Sequence, residues 1–205
     1  MEYLDTYDEE KNFLGKQPRD YVHTNALWHN TVHCWLYDNA GNVYFQIRAD
    51  EKTFYTTASG HVLAGETIKQ AFGREIQEEI GININYNDAH HVSTVKYKMD
   101  KVKSDGSVFR DRAFANVYLY NYNDSEPFNF DPAELDGLVK VNAKDTLTIF
   151  EEGHGEVPAE IITSENGKNV STFRNVSFNE FLVNAHETAI EKYGDILKEV
   201  IKLTK

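Results

Sequence analysis

The sequence predicts a mixed α/β domain, and three observations carry that expectation. Short β-prone runs recur between Thr31 and Ala143, and one amphipathic helix with both ends marked interrupts them at residues 67–81. A second helical periodicity closes the chain after Ser177. These elements do not alternate as regular βαβ units, which argues against a doubly wound dinucleotide fold. At 205 residues the chain can build one substantial core with appendages. A single domain over 1–205 is therefore expected, with a core at about 25–150, an N-terminal extension, and a C-terminal loop and helix.

Each element has its own signal. Residues 1–30 are polar and mixed, with Pro18 and histidines from His23 onward, and read as an extension. TVHCWLYDNAGNVYFQIR, from Thr31, reads as two strands around the turn-rich Asp38-Asn39-Ala40-Gly41-Asn42. Residues 54–57 form a short β-prone piece. Thr67 followed by Gln70 is a capping-box pair, and Gly81 suits a helix stop. Between them Ile68, Phe72, Ile76 and Ile80 make one apolar stripe. VSTVKYKM (92–99) and AFANVYLYN (113–121) are strands joined by the polar loop DKVKSDGSVFRDR, and residues 138–143 suit another strand. EEGHGEVPAEIITSENGKN reads as loop with one short hairpin. Phe178, Phe181, Leu182, Ala185, Ala189, Ile190, Tyr193, Ile196, Leu197, Val200 and Ile201 fall near helical spacing, predicting a C-terminal helix kinked near Gly194.

Composition narrows the partners. A net charge of −12 argues against a broad nucleic-acid or anionic-membrane surface, since either needs a basic patch. A small phosphorylated substrate stays compatible, because a divalent cation neutralises its surroundings. The single cysteine, Cys34, suits a small strand residue in a reducing cytoplasm. The start MEYLDTYDEEKN has no signal-peptide pattern, and no run reaches the ~18 apolar residues of a membrane helix. The C-terminal helix and acidic surface suggest contacts for a homodimer.

The central helix poses the chemical question. Glu75, Glu78 and Glu79 stand at i, i+3 and i+4 on one face. Like charges so placed cost a few tenths of a kcal/mol per pair. A solvated face tolerates that; Mg²⁺ or Mn²⁺ turns it into a set of hard oxygen ligands. Gly60 and Gly65 in the preceding loop permit close backbone approach, so a glycine carbonyl could add a ligand. Arg74 could orient a carboxylate or tie Glu66 to the helix.

Gly60, five residues, Glu66, seven residues, then Arg74-Glu75-Ile76-Gln77-Glu78-Glu79-Ile80-Gly81-Ile82 resembles the Nudix box at every defined position. The resemblance implies an α/β/α sandwich around a mixed sheet, here with an added C-terminal helix. It also implies Mg²⁺ dependence, with Mn²⁺ as a substitute, and hydrolysis of a small-molecule diphosphate such as a nucleoside diphosphate derivative. By the same resemblance Glu75, Glu78, Glu79 and the Gly60 carbonyl bind metal. Glu78 and Glu79 are the catalytic carboxylates, with Arg74 and Glu66 supporting the loop–helix geometry. An additional base or ligand outside the box is open among Asp111, Glu126, Glu134, Glu151 and Glu152.

A second resemblance surrounds the box. PRDYVHTNALWHNTVHCWLYDNAGNVYFQIRADEKTF and SGHVLAGET are similar to the isopentenyl-diphosphate isomerase branch of the Nudix proteins. On that alignment His29 and His61 fall at metal-ligand positions, and His23 lies within one residue of another. His29, His61 and Asp111 are thus expected either at the substrate pocket or in plain structural roles. Ser59 stands where the isomerases carry their catalytic cysteine, and Asp111-x-Ala113 replaces their Glu-x-Glu. Hydrolase is the expectation; an isomerase and a non-catalytic diphosphate-binding regulatory module are the alternatives. His33 and the aromatics Trp28, Tyr44 and Phe54 are expected in the core.

Overall fold

The computed structural model describes residues 1–49, 52–102, 106–123, 126–181 and 193–205. In chain order the first elements are β1 (Tyr3–Tyr7), β2 (Phe13–Pro18), α1 (Arg19–Thr24), β3 (His29–Tyr37) and β4 (Asn42–Arg48). Next come β5 (Phe54–Tyr55), β6 (Ala58–His61), α2 (Ile68–Ile80), β7 (His90–Val102) and β8 (Val108–Asn121). The chain continues through β9 (Leu135–Asn142), α3 (Ala143–Glu152), β10 (Glu156–Glu165), β11 (Lys168–Ser177) and α4 (Tyr193–Leu203).

The main sheet has the order β11-β10-β9-β4-β3-β8-β7, with β5 beside β4 and β6 beside β3. β3 and β8 run parallel, from His29 opposite Ala113 to Tyr37 opposite Asn121; the other pairings are antiparallel. All nine residues of β3 are buried, as befits a strand covered on both faces. On one face Phe72, Ile76 and Ile80 of α2 pack against Val32, Cys34, Leu36 and Tyr118. On the other, Ile149 of α3 and Tyr193, Ile196, Leu197 and Val200 of α4 cover Trp35, Phe45, Val117 and Val139. The result is the helix–sheet–helix layering that the resemblance implied.

One irregularity in the sheet positions the site. β3 pairs with β4 only at Leu36–Tyr44 and Tyr37–Val43, and β6 then takes the β3 edge from Cys34 to Thr31. At the split, the buried Thr57 hydroxyl accepts the Leu36 N–H at 3.0 Å and donates to the Tyr44 carbonyl. A side chain thus satisfies groups that a regular ladder would have paired. It delivers β6, and with it Ser59, Gly60 and His61, to the edge of the central strand.

The structure also corrects several expectations. The N-terminal extension, for which no elements are expected from the sequence, holds β1, β2 and α1. Residues 100–102 and 108–112, expected as loop, continue the β7–β8 hairpin. α3 was not anticipated, and the segment after Phe150 forms the ten-residue strands β10 and β11. The predicted C-terminal helix begins differently: Phe178–Glu180 is a 3₁₀ turn and Phe181 bridges Phe54. Helix is seen from Tyr193, with Gly194 in its first turn; residues 182–192 of that expectation lie outside the described residues.

Candidate active site

α2 begins and ends where its sequence signals lie. The Thr67 hydroxyl accepts the Gln70 N–H, and the Gln70 side chain accepts the Thr67 N–H at 2.9 Å. Gly81 closes the helix with φ 72°, a left-handed conformation suited to glycine. With the apolar stripe buried, Glu75 and Glu79 turn inward toward β6, while Glu78 is 58 % exposed.

Arg74 organises this face. Its Nε and Nη2 reach the two oxygens of Glu66 at 3.0 and 2.9 Å, a bidentate pair. Nη1 donates to Glu75 at 2.8 Å and Glu78 at 3.0 Å, and Nη2 also donates to the His61 carbonyl at 2.8 Å. Glu66 in turn accepts the Leu63 N–H at 3.0 Å. One guanidinium therefore ties loop 61–66, α2 and two of the three clustered carboxylates together.

The carboxylates themselves are held under electrostatic stress. Burial pushes Glu75 up to about 7, with Glu78 and Glu66 adding repulsion and Arg74 opposing it. Burial pushes Glu79 well above the carboxylate range, reinforced by Glu75 and Glu134 and relieved in part by the Ser59 N–H at 3.1 Å. A cation would relieve both. Gly60 fits the same picture: a Cβ there would fall 2.1 Å from the Glu75 carboxyl carbon, so only glycine lets the carboxylate lie against β6. Buried, mutually repelling oxygens beside a bare backbone fit a hard divalent cation.

A second cluster lies one residue further along β6. His23, His29 and His61 each offer a ring nitrogen, all within 4.8 Å of one another. His29 Nε2 lies 3.3 Å from Asp111 Oδ1, and His23 Nε2 is 3.2 Å from His61 Nε2. The predicted His29, His61 and Asp111 are thus brought together. Sequence reasoning gave His23 no site role; its position one residue off the isomerase alignment was the available signal. The three imidazole nitrogens fit a metal ion, with Asp111 beside His29 at the edge of the cluster.

The remaining carboxylates separate by position. Glu134 stands close enough to Glu79 to raise its proton affinity. Glu126 accepts the Asn83 N–H beyond the far end of α2, and Glu151 pairs with Lys198 on α4. Trp28, Tyr44, Phe54, His33 and Cys34 are buried, as expected.

Comparison with known proteins places this geometry. The family model described as NUDIX domain matches residues 27–161, well over half of the chain. The chain belongs to the Nudix family. It is accordingly an enzyme of the pyrophosphohydrolase class, whose members act on small-molecule diphosphates and use divalent metal ions. An uncharacterized Nudix hydrolase of Clostridium acetobutylicum is 28 % identical over 191 residues, covering 88 % of this chain and 90 % of the relative. An isopentenyl-diphosphate Delta-isomerase of Mycolicibacterium vanbaalenii is 31 % identical over 83 residues, spanning 38 % of this chain and 46 % of the isomerase. A crystal structure of a Deinococcus radiodurans protein superposes with TM-score 0.54 at 20 % identity, covering 74 % of this chain and 90 % of that one. The two chains therefore share a fold at low identity. Among the described residues no helix is long and apolar enough to cross a membrane.

Proposed function

We propose that this Nudix enzyme is a Mg²⁺-dependent hydrolase, with Mn²⁺ as a substitute, that cleaves the pyrophosphate bond of a nucleoside diphosphate derivative or related organic diphosphate. The observation that carries the reading is the complete carboxylate set on α2, desolvated and braced by Arg74 against a glycine that leaves it room. Glu75, Glu78, Glu79 and the Gly60 carbonyl would hold the cation. When bound, it supplies charge neutralisation at the phosphates and a more acidic water.

The chain's own groups do the rest. Arg74 keeps Glu75 and Glu78 oriented and holds loop 61–66 through Glu66. Glu78, the exposed member, is the one able to take a proton from an incoming water and pass it to solvent. Glu79, fixed by the Ser59 N–H, acts as a buried ligand. Ser59 is a poor replacement for the isomerase thiol as an acid, and Ala113 offers no carboxylate, so hydrolysis suits these residues better than isomerisation.

The test is a panel of organic diphosphates incubated with the purified protein and Mg²⁺. Hydrolysis of at least one nucleoside diphosphate derivative is expected, with Glu78→Gln lowering turnover by about two to four orders of magnitude. Turnover unchanged in Glu78→Gln would remove the assigned role, and conversion of isopentenyl diphosphate to dimethylallyl diphosphate would replace the reading with an isomerase.

A further inference from the structure

A sheet edge presents unpaired N–H and C=O groups, and folded chains protect it with lysines, prolines, bulges or very short strands. Most edges of this molecule are protected in one of these ways. β7 ends the main sheet on one side with Lys96, Lys98 and Lys101 and a register break between His91 and Ser93. β2 carries Lys16 and Pro18, and its ladder to β1 breaks between Thr6 and Tyr7. β5 and β6 have only two and four residues. β11 ends the main sheet on the other side and is different. It pairs with β10 over ten residue pairs without a break and contains no proline, and its lysine, Lys168, is its first residue. Among the described residues no strand lies on its outer side.

The middle of β11 is bare. Residues 171–175 are all exposed, and the Phe173 ring stands 78 % in solvent. Arg174 is the charged residue nearest that ring, and Glu180 neutralises it through both carboxylate oxygens, at 3.1 and 2.5 Å. The strand is also its own complement. Turned antiparallel about Phe173, it sets Phe173 against Phe173, Thr172 against Arg174, Ser171 against Asn175 and Val170 against Val176. Aromatic and β-branched pairs opposite one another stabilise a ladder, and like charges opposite one another weaken it. A register centred on Arg174 would oppose two guanidinium groups, and one centred on Thr172 would oppose Lys168 and Val176. The Phe173 register avoids both. It also brings Lys168 of one copy to the 3₁₀ turn Phe178–Glu180 of the other, where the carboxylate of Glu180 lies.

We propose that β11 is the self-association surface of this chain, pairing antiparallel with β11 of a second copy about a two-fold axis at Phe173. The interface is isologous and closes on itself as a dimer. It joins two nine-stranded sheets into one continuous sheet and removes both bare edges. The box is left open in each copy, because β6 lies beside β3, on the far side of β10, β9 and β4 from β11. The dimer contact expected at the C-terminal helix is thereby assigned to the opposite kind of element, a strand edge.

Sedimentation velocity of the full chain at micromolar concentration tests the proposal, and a species of twice the monomer mass is expected. Phe173→Asp sets two carboxylates face to face and should weaken the dimer at least about thirtyfold, with the thermal midpoint of the monomer unchanged. Leu203→Asp, on the exposed end of α4, should keep it. Phe173→Cys should form an intermolecular disulfide under mild oxidation, since opposed antiparallel residues stand about 4.5–5.5 Å apart at Cα. Cys34, at 1 % exposure, should leave the unmodified protein uncrosslinked, and Val102→Cys on the β7 edge should crosslink no faster than it. A monomeric unmodified protein overturns the proposal and needs no variant to fold. A dimer that survives Phe173→Asp also overturns it, and its loss in Leu203→Asp would place the interface on α4. Failure of Phe173→Cys to crosslink within a dimer overturns the register. None of these readouts depends on turnover, so they stand apart from the diphosphate panel.

Discussion

Gly60 is the position where one added methyl group would do most to the chemistry. A Cβ there meets the end of the Glu75 side chain, not backbone, so the fold can accommodate it by displacing the carboxylate. Gly60→Ala is expected to lower turnover by about 10²-fold, the usual consequence of a misplacement of about 1 Å, while the thermal midpoint shifts little. Steady-state kinetics beside thermal unfolding checks both halves. Glu75 provides a pH test. Burial raises it from 4.5 to about 7 in the ion-free protein, so the folded state binds this proton more tightly than the unfolded chain does. Its contribution to stability is therefore lost as pH rises between about 4.5 and 7, and levels off above. Urea unfolding in chelator should show the wild-type minus Glu75→Gln stability difference declining across that window; a flat difference would mean the carboxylate is not desolvated. The box residues were legible because their spacing is local. The partners of His23 were not, because its one-residue offset from the isomerase alignment is no local signal of a contact with residues 61 and 111.

At the scale of elements, α2 is the part whose local signals and tertiary role agree most closely. Thr67→Ala should cost about 1 kcal/mol of unfolding free energy by removing the cap, with turnover per folded molecule unchanged. Urea unfolding measures it, and an undiminished midpoint would mean the exposed capping box adds nothing to a helix already fixed by packing. α3 shows the opposite case. It has an Asn142 cap bonded to the Lys144 and Asp145 N–H groups and a left-handed Gly153 stop, but its fully buried stripe is only Ala143, Thr146 and Ile149. So thin a stripe gives weak periodicity. The segment of β10 and β11 reads as loop with only a short hairpin because β11 is an exposed, mostly polar edge strand; its pairing with β10 over ten residue pairs, not its composition, makes it a strand.

For the whole molecule, the question is whether the arm and the sandwich unfold as one. Leu4 is fully buried and its backbone bridges Leu63, so the arm is paired directly with the box loop. Leu4→Ala is expected to cost about 2–5 kcal/mol in a single cooperative transition. Calorimetry would reveal a separate low-temperature transition if the arm were an independent unit. The acidic net charge of −12 is consistent with a cation-dependent site, because the box gathers Glu66, Glu75 and Glu78 around the single guanidinium of Arg74.

Taken alone, the amino-acid sequence determined the loop–helix of the box, its caps, its buried stripe and its clustered carboxylates. Each depends on residues within a few turns of one another, where spacing alone sets the geometry. Tertiary structure alone decided that β3 would divide its edge between β4 and β6, that the N-terminal arm would lie on the box loop, and that His23 would join His29, His61 and Asp111. Those arrangements follow from which strands pair across the chain, and strand pairing depends on the burial of both sheet faces, which no local run of residues encodes.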